Sequence, residues 1–206
     1  LGNIYSRIMN PTNAVFEDRI AALEGGVAAL GLASGQGASA YAIQNLCSHG
    51  DNFVASSQLY GGTYNQFKNP FSDMGIEVRF VDPSDPQNFA DATDDRTRAY
   101  YGEVLPNPSF QVFPLQEVAD IGRPLGIPLI VDNTAAPLIC RPFDHGASII
   151  VHSATKYIGG HGTSIGGVIV DGGNFDWEAH PKRQPKLNEP DPNYDGVVWT
   201  EAVKPL

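Results

Sequence analysis

The stretch Ala147-Ser-Ile-Ile-Val-His-Ser-Ala-Thr-Lys-Tyr157 leads from an apolar run into a single lysine, Lys156. Residues 147–151 have the character of a buried strand, and a glycine-rich segment, Gly159-Gly-His-Gly162, follows the lysine. A lysine at the end of a buried strand is shielded from water, which favours its neutral amine over the ammonium ion. Because a neutral amine attacks carbonyl groups, we interpret Lys156 as the covalent anchor of a cofactor aldehyde. A lone lysine after a strand is more often a solvated loop residue, so this interpretation depends on partners elsewhere in the chain.

Composition limits the class of protein. The chain has 206 residues, of which 42% are hydrophobic, and this suits a soluble α/β protein with a sizeable core. A formal net charge of −10 without a basic run makes nucleic acid and anionic membrane surfaces poor partners, and no stretch has the length of a membrane span or the look of a signal peptide. The two cysteines, Cys47 and Cys140, fit a reducing compartment such as the cytoplasm better than a disulfide scaffold. The sequence opens at Leu1 without methionine and stops at Leu206, and we expect a segment of a longer chain.

Strand-like and helix-like segments alternate along the chain. This alternation predicts an α/β fold with a mostly parallel sheet and helices on both faces. We assign residues 1–13 to an N-terminal arm and residues 14–206 to a large domain, with the first candidate boundary inside it at about Asp176. Strands are expected at residues 27–33, 52–56, 76–82, 97–105, 127–131, 147–151 and 165–170. Helices are expected from an N-cap at Asn13 to about residue 24, at 38–47, up to about 67 and at 115–125.

A glycine turn, Ser34-Gly35-Gln36-Gly37, lies between an apolar run and a helical segment. Main-chain N–H groups and the positive end of the helix dipole converge at a helix start, so this turn is a candidate phosphate cradle. The spacing Gly35-x-Gly37-x-x-Ala40 also matches the G-x-G-x-x-G/A fingerprint of dinucleotide-binding proteins. However, the next strand is followed by Ser57 and Gln58 instead of the acidic residue that binds a ribose hydroxyl. A non-catalytic Rossmann-type nucleotide-binding module therefore stays open as the weaker alternative.

Three further residues stand where strands of the predicted sheet end. Tyr60 precedes two glycines that would let a planar ring approach its aromatic face, although core packing is the commoner role of such a residue. Asn107 is flanked by prolines and is either an ordinary turn residue or a polar group held in a fixed direction. Asp132 follows the most regular strand, at the edge where parallel sheets bind ligands. It either caps the next turn or keeps a proton on a pyridine nitrogen, where a buried anion stabilises the cationic ring.

Two other chemistries find less support. The segment Gly162-x-Ser164-x-Gly166 matches a serine nucleophile elbow, but its serine precedes a strand instead of following one. His145, His152 and His161 lack the helical spacing or the cysteine partners of a metal site. We therefore predict no metal and interpret these histidines as hydrogen-bonded polar residues near the rim of the sheet.

Several motifs of the chain occur together in one known group of enzymes. They are Tyr5-Ser-Arg7, Asn10-Pro-Thr12, Ala33-Ser-Gly-Gln36, Tyr60-Gly-Gly62, Val131-Asp-Asn-Thr134 and Val151-His-Ser-Ala-Thr-Lys-Tyr-Ile-Gly-Gly-His-Gly162. This set resembles the Cys/Met-metabolism group of pyridoxal 5'-phosphate (PLP) enzymes over essentially the whole chain, and the lysine motif is its most specific part. The resemblance implies the large domain of a fold type I PLP-dependent transferase, with a sheet of the seven-stranded type preceded by an arm.

The resemblance also implies a role for each candidate residue. Lys156 would form the Schiff base with PLP and later move protons, and Asp132 would pair with the pyridine nitrogen. Tyr60 would stack on the ring and assist proton transfer near Cγ of the substrate, and Asn107 would contact the ring hydroxyl. The phosphate would be held by Gly35, Gln36, Ser153 and Thr155 and by Tyr5 and Arg7 from the arm of a neighbouring subunit. A site shared in this way would require a homo-oligomer, either a dimer or a tetramer.

The reaction that the resemblance implies is γ-replacement. An amino-acid substrate, O-acetyl-L-homoserine, would react with sulfide or a thiol to give L-homocysteine and acetate, a step of methionine biosynthesis. Gly62 stands where γ-lyases of the family commonly carry cysteine, which disfavours the alternative of a methionine γ-lyase-like elimination, and residues 188–198 resemble an extra segment of the sulfhydrylases. Residues 103–107 and 132–137 depart from the usual pattern, which leaves the ester and the nucleophile open. The family's C-terminal domain, with the arginine that binds the substrate carboxylate, has no counterpart in this sequence.

Overall fold

The computed structural model describes residues 3–203. Leu1 and Gly2 of the expected arm and Lys204 to Leu206 of the expected large domain lie outside the described residues. The strands are β1 (Ala28–Leu32), β2 (Asn52–Ser56), β3 (Glu77–Val81), β4 (Thr97–Glu103), β5 (Leu129–Asp132), β6 (Ile149–Ser153) and β7 (Gly167–Asp171). The α-helices are α1 (Pro11–Glu24), α2 (Gly35–Leu46), α3 (Gly61–Gln66), α4 (Gln87–Asp91), α5 (Leu115–Gly122), α6 (Pro185–Asn188) and α7 (Trp199–Ala202). A π-helical turn (Phe67–Phe71) and 3₁₀ turns (Arg123–Leu125, Pro142–His145, Pro192–Tyr194) complete the helical segments.

The strands form one seven-stranded sheet in the order β1-β7-β6-β5-β4-β2-β3. Strands β3, β2, β4, β5 and β6 are parallel, whereas β7 is antiparallel to both of its neighbours, β6 and β1. Helices cover both faces, so the expected mostly parallel α/β sheet is confirmed. Because β7 alone is reversed, β1 runs in the same direction as β6. The carboxyl ends of β1 and β6 therefore meet at the same edge of the sheet.

Strand β1 lies at the margin of the sheet, and the expectation that residues 27–33 form a buried strand is wrong. Leu30 is 52% exposed, because within residues 3–203 β1 pairs with β7 alone and α1 covers one face. This position also argues against the dinucleotide-binding alternative. In that fold the strand before the glycine fingerprint lies inside the parallel sheet. Here the antiparallel strand β7 separates the strand before Gly35 from the parallel strands.

Helix α1 begins at Pro11, and its N-cap is Asn10 rather than the expected Asn13. The side-chain oxygen of Asn10 accepts hydrogen bonds from the main-chain N–H groups of Thr12 (2.9 Å) and Asn13 (3.3 Å). Proline at the first helical position needs no partner for an N–H group, so Asn10-Pro11 is a helix start and not a loop. Gly25 ends the helix in the left-handed conformation with φ 82°, as expected.

Two other boundaries differ from the expectation. The α-helix predicted at residues 115–125 ends at Gly122, because Pro124 has no N–H group for the helical hydrogen bond, and a 3₁₀ turn follows. Strand β4 ends at Glu103 instead of residue 105. Within residues 3–203, the helices are too short or too polar for any of them to cross a membrane.

Side-chain alternation in the strands decides which residues share a face at the carboxyl edge. On one face, strand residues pack with α2 and α3 in a core that includes Tyr101, Ile130 and Val151. Glu103, Asp132 and Ser153 lie two positions further along the same strands, so they share that face. The opposite face carries a second core with α5 and a third with α1.

The segment after β7, residues 172–203, packs against the amino-terminal edge of the sheet. The buried guanidinium group of Arg98 donates to the carbonyl oxygen of Arg183 (3.0 Å). The side-chain amide of Gln184 donates to the carbonyl oxygens of Arg98 (2.9 Å) and Gly126 (3.0 Å). These contacts join the segment to the same body as the sheet, on the side away from the carboxyl ends of the parallel strands.

Candidate active site

The start of α2 lies directly against the end of β6. A Cβ atom on Gly35 would come 2.6 Å from Cβ and 2.7 Å from Cα of Ser153, so a glycine is required for this approach. The main-chain N–H group of Ser153 donates to the hydroxyl of Thr134, at 2.7 Å. The glycine turn is therefore a neighbour of the lysine motif in the fold, although Gly35 and Ser153 are far apart in the sequence.

Helix α2 presents its N-terminus at this edge. The hydroxyl of Ser34 caps the helix by accepting from the N–H group of Gly37, at 3.0 Å. The side chain of Gln36 donates to the hydroxyl of the buried Thr63 in α3, at 3.0 Å, and fixes the two helix starts relative to each other. The first turn of α2 carries no acidic residue. A 12-residue helix with free N–H groups and a positive dipole end is suited to bind an anion such as a phosphate ester.

Lys156 lies on the turn that follows β6. Its N–H group donates to the carbonyl oxygen of Ser153 (3.2 Å), and its own carbonyl oxygen accepts from the N–H group of Gly160 (2.8 Å). The neighbouring Thr155 hydroxyl contacts the main chain of Gly166, at 3.2–3.3 Å. The Lys156 side chain is exposed, so the expectation that it is shielded from water is wrong for the chain as described. The physical reason is that the turn projects beyond the last residue of β6.

Asp132 is the last residue of β5 and is paired in register with Glu103 of β4 and Val151 of β6. It accepts a hydrogen bond from the N–H group of Thr134 (2.8 Å), so it does cap the following turn. Burial raises the pKa of Asp132, whereas this hydrogen bond and the positive charge of a protonated His152 oppose the rise. A carboxylate whose ionised form is disfavoured by burial is stabilised by a cation beside it, as a pyridinium nitrogen would be.

A second charged group lies behind Asp132, on the face that α1 covers. Nε2 of His152 is 3.0 Å from a carboxylate oxygen of Glu24, and both side chains are fully buried. The side-chain amide of Asn133 donates to Glu24 (3.4 Å) and to the carbonyl oxygen of Cys140 (3.0 Å). His152, the residue before the end of β6, therefore lies near the rim of the sheet as expected, but its side chain is buried. In the sequence, the signal for the partner of His152 was the acidic residue Glu24 at the end of the helical segment.

The structure adds Glu103, a residue that sequence reasoning did not select. Its side chain is buried, and its carboxyl oxygen accepts the N–H group of Tyr60 at 2.8 Å. Burial and the negative charge of Asp132 raise the pKa of Glu103 to about 8, although the hydrogen bond from Tyr60 acts in the opposite direction. The sequence signal was an acidic residue near the end of a predicted strand. In the structure Glu103 is the last residue of β4, and every residue of this strand is buried.

Tyr60 and Asn107 lie on two loops at the same edge. The ring of Tyr60 packs across Gly62, where an added Cβ atom would come 2.5 Å from the ring, and its other side is open to solvent. Asn107 is exposed on the loop after β4. The hydroxyl of Ser109 on that loop donates to the side chain of Gln58 (2.8 Å), which joins it to the loop that carries Tyr60. The structure therefore brings Tyr60, Asp132, Gly35 and Ser153 to one edge, with Asn107 on an adjoining loop.

The arm residues Tyr5 and Arg7 are not part of this cluster. Both side chains are exposed, and the guanidinium carbon of Arg7 lies 5.1 Å from the centroid of the Tyr5 ring. In the part of the chain that the structure describes, neither side chain forms a hydrogen bond or an ion pair with the sheet edge. Their contribution to a neighbouring subunit stays a prediction.

The groups at the edge are arranged in an order that fits PLP. The anion-binding helix start lies next to the end of β6, Asp132 follows on β5, and the Tyr60 ring lies beyond β4. PLP has a phosphate, a ring nitrogen that carries positive charge, a flat aromatic face and an aldehyde, and Lys156 offers an accessible amine at the same edge.

Comparison with known proteins decides the family. The model of the family described as "Cys/Met metabolism PLP-dependent enzyme" matches residues 1–191. The chain belongs to this family. The resemblance seen in the sequence and the cofactor that it implied are thus confirmed at the level of the family.

Relatives within the family have sulfhydrylase names. The chain is 51% identical over 202 residues to an O-acetyl-L-homoserine sulfhydrylase of Leptospira meyeri, a match that covers 98% of this chain and 45% of the relative. It is 50% identical over 203 residues to the homocysteine/cysteine synthase of Saccharomyces cerevisiae, covering 98% of this chain and 46% of the relative. The chain therefore spans about half the length of the curated relatives it matches.

A solved structure of the same family has the same fold. A candidate O-acetylhomoserine (thiol)-lyase from Campylobacter jejuni superimposes with a TM-score of 0.94 at 37% identity, over 98% of this chain and 50% of that one. That crystal structure contains N'-pyridoxyl-lysine-5'-monophosphate, which is PLP chemistry on a lysine. The match supports the large-domain fold that the sequence implied.

Proposed function

We propose that the protein catalyses γ-replacement on O-acetyl-L-homoserine, in which sulfide or a thiol displaces acetate and L-homocysteine or its thioether forms. The substrate assignment rests on the names of relatives about half identical to this chain, an O-acetyl-L-homoserine sulfhydrylase and a homocysteine/cysteine synthase. The observation that carries the cofactor assignment is the close contact of Gly35 with Ser153, which joins the start of α2 to the lysine motif. Because the chain spans about half of those relatives, the activity is a property of the whole protein.

PLP would be held at both ends of the cluster. The N–H groups of Gly35 and Gln36 and the hydroxyls of Ser153 and Thr155 would bind its phosphate, with the α2 dipole adding to the attraction. Asp132 would pair with the ring nitrogen, Tyr60 would lie on the ring face, and Asn107 would contact the ring hydroxyl. Lys156 would be the residue that PLP joins covalently.

When bound, PLP supplies an electron sink that makes the Cα proton of an attached amino acid acidic. The chain's own groups then move protons at named atoms. Lys156, once its amine is free, would take the proton from Cα, pass it on, and then take one from Cβ, so that acetate can leave from Cγ; after sulfide adds at Cγ, protons would return to Cβ and Cα. The carboxylate of Asp132 holds the positive charge on the ring nitrogen throughout. The phenol of Tyr60, which is open to solvent at this edge, assists proton transfer near Cγ.

The arm would complete the site of a second copy. Tyr5 and Arg7 are exposed and carry a phenol and a guanidinium, both of which donate hydrogen bonds to phosphate. In this proposal residues 1–13 reach the phosphate of a neighbouring subunit, and the active protein is a homo-oligomer.

Product analysis of the whole protein tests the proposal. With O-acetyl-L-homoserine and sulfide, homocysteine and acetate are expected, and Lys156→Ala is expected to lose both turnover and the visible absorbance of lysine-bound PLP. Release of 2-oxobutanoate and ammonia without any thiol adduct would instead identify γ-elimination, the lyase alternative. A protein that stays colourless after incubation with PLP would overturn the proposal.

A further inference from the structure

Glu103 is a buried acidic residue that the proposed reaction does not use. It is the last residue of β4, it is 6% exposed, and it is paired in register with Asp132. Burial of a carboxyl group is unfavourable unless a partner satisfies it, and a second carboxyl group alongside adds repulsion when both are ionised. Among residues 3–203, no lysine or arginine forms an ion pair with Glu103. A packing role alone would be filled better by an apolar side chain.

The partner that Glu103 does have is the main chain of Tyr60. A carboxyl oxygen of Glu103 accepts the N–H group of Tyr60 at 2.8 Å, which joins the loop after β2 to the end of β4. Tyr60 directly precedes α3, and no side chain caps this short helix. The Tyr60 ring is 51% exposed and touches Gly62 on its packed side, so its height above the sheet edge depends on where its main chain is held.

Burial makes ionisation of both carboxyl groups, Glu103 and Asp132, unfavourable. Burial and the charge of Asp132 raise the pKa of Glu103 to about 8, and the raised pKa of Asp132 shows that its ionised form is disfavoured as well. The hydroxyl and the N–H group of Thr134 both favour the anion at Asp132. Glu103 has one hydrogen bond, which the carbonyl oxygen of a neutral carboxyl group also accepts.

One further titratable group faces the pair. The phenol of Tyr101 lies on the same face of β4, is fully buried, and is bonded to the hydroxyl of Ser39 in α2 at 2.8 Å. Burial and the charges of Asp132 and Glu103 raise its pKa well above the ordinary value, so it stays neutral and adds no charge. Because Thr134 favours the anion at Asp132 and the pKa of Glu103 is raised to about 8, we place the negative charge on Asp132 and the proton on Glu103.

We propose that Glu103 is a positioning residue of the PLP site, which in its neutral form holds the main chain of Tyr60 in place while leaving the negative charge on Asp132. The inference rests on the proposed function, in which Tyr60 and Asp132 both act on the PLP ring. Glu103 would touch neither PLP nor the substrate, and its effect would pass through these two residues.

Two substitutions separate this role from simple packing. Glu103→Gln keeps an oxygen that accepts the Tyr60 N–H group and is neutral at every pH, whereas Glu103→Leu removes the acceptor. Glu117→Leu, on the exposed side of α5, is the matched control. The whole protein, freed of cofactor, is titrated with PLP at about pH 7, below the pKa of about 8 of Glu103. Visible absorbance reports binding, and the circular dichroism of the PLP band reports how firmly the ring is held.

Glu103→Leu is expected to bind PLP at least about tenfold more weakly, with a reduced circular dichroism band, because one hydrogen bond that fixes Tyr60 is lost. Glu103→Gln is expected to stay within about threefold of the wild type, and the Glu117→Leu control to match it. Thermal unfolding of the cofactor-free proteins is the control for folding. Glu103→Leu should be at least as stable as the wild type, since an apolar group replaces a buried acid. Should it unfold earlier, Glu103→Met takes its place in the titration.

The outcomes distinguish this inference from the function on which it rests. If Glu103→Leu binds PLP as tightly as the wild type with an unchanged circular dichroism band, the role of Glu103 is overturned and the proposed function stands. The role of Glu103 is also overturned if Glu103→Gln binds PLP as weakly as Glu103→Leu does, because the hydrogen-bond acceptor would then be irrelevant. If the wild type itself fails to bind PLP, both the function and the inference fall.

Discussion

Glu103 and Asp132 are paired in register on neighbouring parallel strands, so two carboxyl groups lie side by side on the face that α2 and α3 cover. This arrangement has a consequence for stability as well as for the proposed cofactor site. Burial raises the pKa of both groups, and the charge of Asp132 raises the pKa of Glu103 further. The folded chain therefore binds a proton at this pair more tightly than the unfolded chain does.

The first prediction concerns pH. The pKa of Glu103 rises from 4.5 to about 8 on folding, so its favourable contribution is fully present below about pH 4.5 and is lost as the pH rises through about 8. We expect the free energy of unfolding of the cofactor-free protein to decrease over this interval and the decrease to be smaller in Glu103→Gln. Urea unfolding from about pH 5 to about pH 9 measures both slopes. Equal slopes in the two proteins would contradict the assignment of the proton to Glu103.

The pair also shows what the sequence could and could not predict. The shared location of Asp132, Ser153 and Gly35 at one edge was predictable, because each follows an apolar run and strand ends meet at one edge in a parallel sheet. Glu103 was not selected, because its contact with Asp132 depends on β4 lying next to β5. Strand order is a tertiary property that local periodicity does not carry.

The same reason explains two errors. The run that forms β1 has the apolar character of a buried strand. Its burial, however, depends on the number of neighbouring strands, and in the described residues β1 has one neighbour, β7. The exposure of Lys156 depends on the path of the turn after β6. The error at the N-cap of α1, which was expected at Asn13, has a different cause, since Asn10 followed by Pro11 is a local signal for a helix start that the sequence already carries.

The second prediction concerns the contact between α2 and β6. Gly35→Ala would place a methyl group 2.6 Å from the Cβ atom of Ser153, so either the helix start or the strand end must move. We expect a loss of about 1–3 kcal/mol in the free energy of unfolding, together with weaker binding of PLP through its phosphate. Gly61→Ala is the control for stability, because a Cβ atom there meets nothing within 4 Å. Equal stability of the two variants in urea unfolding would show that α2 can shift without cost.

The third prediction concerns the buried contact between Glu24 and His152. Removing the carboxylate with Glu24→Ala leaves His152 and the amide of Asn133 without this partner in the interior. We expect a loss of about 1–3 kcal/mol in the free energy of unfolding, the cost of leaving a buried polar group without its partner. The exposed pair Arg141–Asp144, at 3.6 Å, is the comparison, and Asp144→Ala should cost less than about 1 kcal/mol. Similar losses in the two variants would mean that the Glu24 contact is no stronger than a surface ion pair.

The fourth prediction concerns thiol reactivity. Cys47 is 2% exposed, and burial together with the charge of Asp51 raises the pKa of its thiol to about 12. At about pH 8 roughly one molecule in 10⁴ carries the reactive thiolate, so Cys47 should resist a thiol reagent until the chain unfolds. Cys140 is half-buried, and its pKa is also raised, by burial and by the charges of Glu24 and Asp144, so it should react faster than Cys47 but more slowly than a free thiol. Labelling of Cys47→Ala and Cys140→Ala before and after adding urea assigns each rate to its residue. Rapid labelling of Cys140→Ala in the folded state would show that the core around α2 opens readily, because Cys47 is reached only through the packed side chains of that helix and β2.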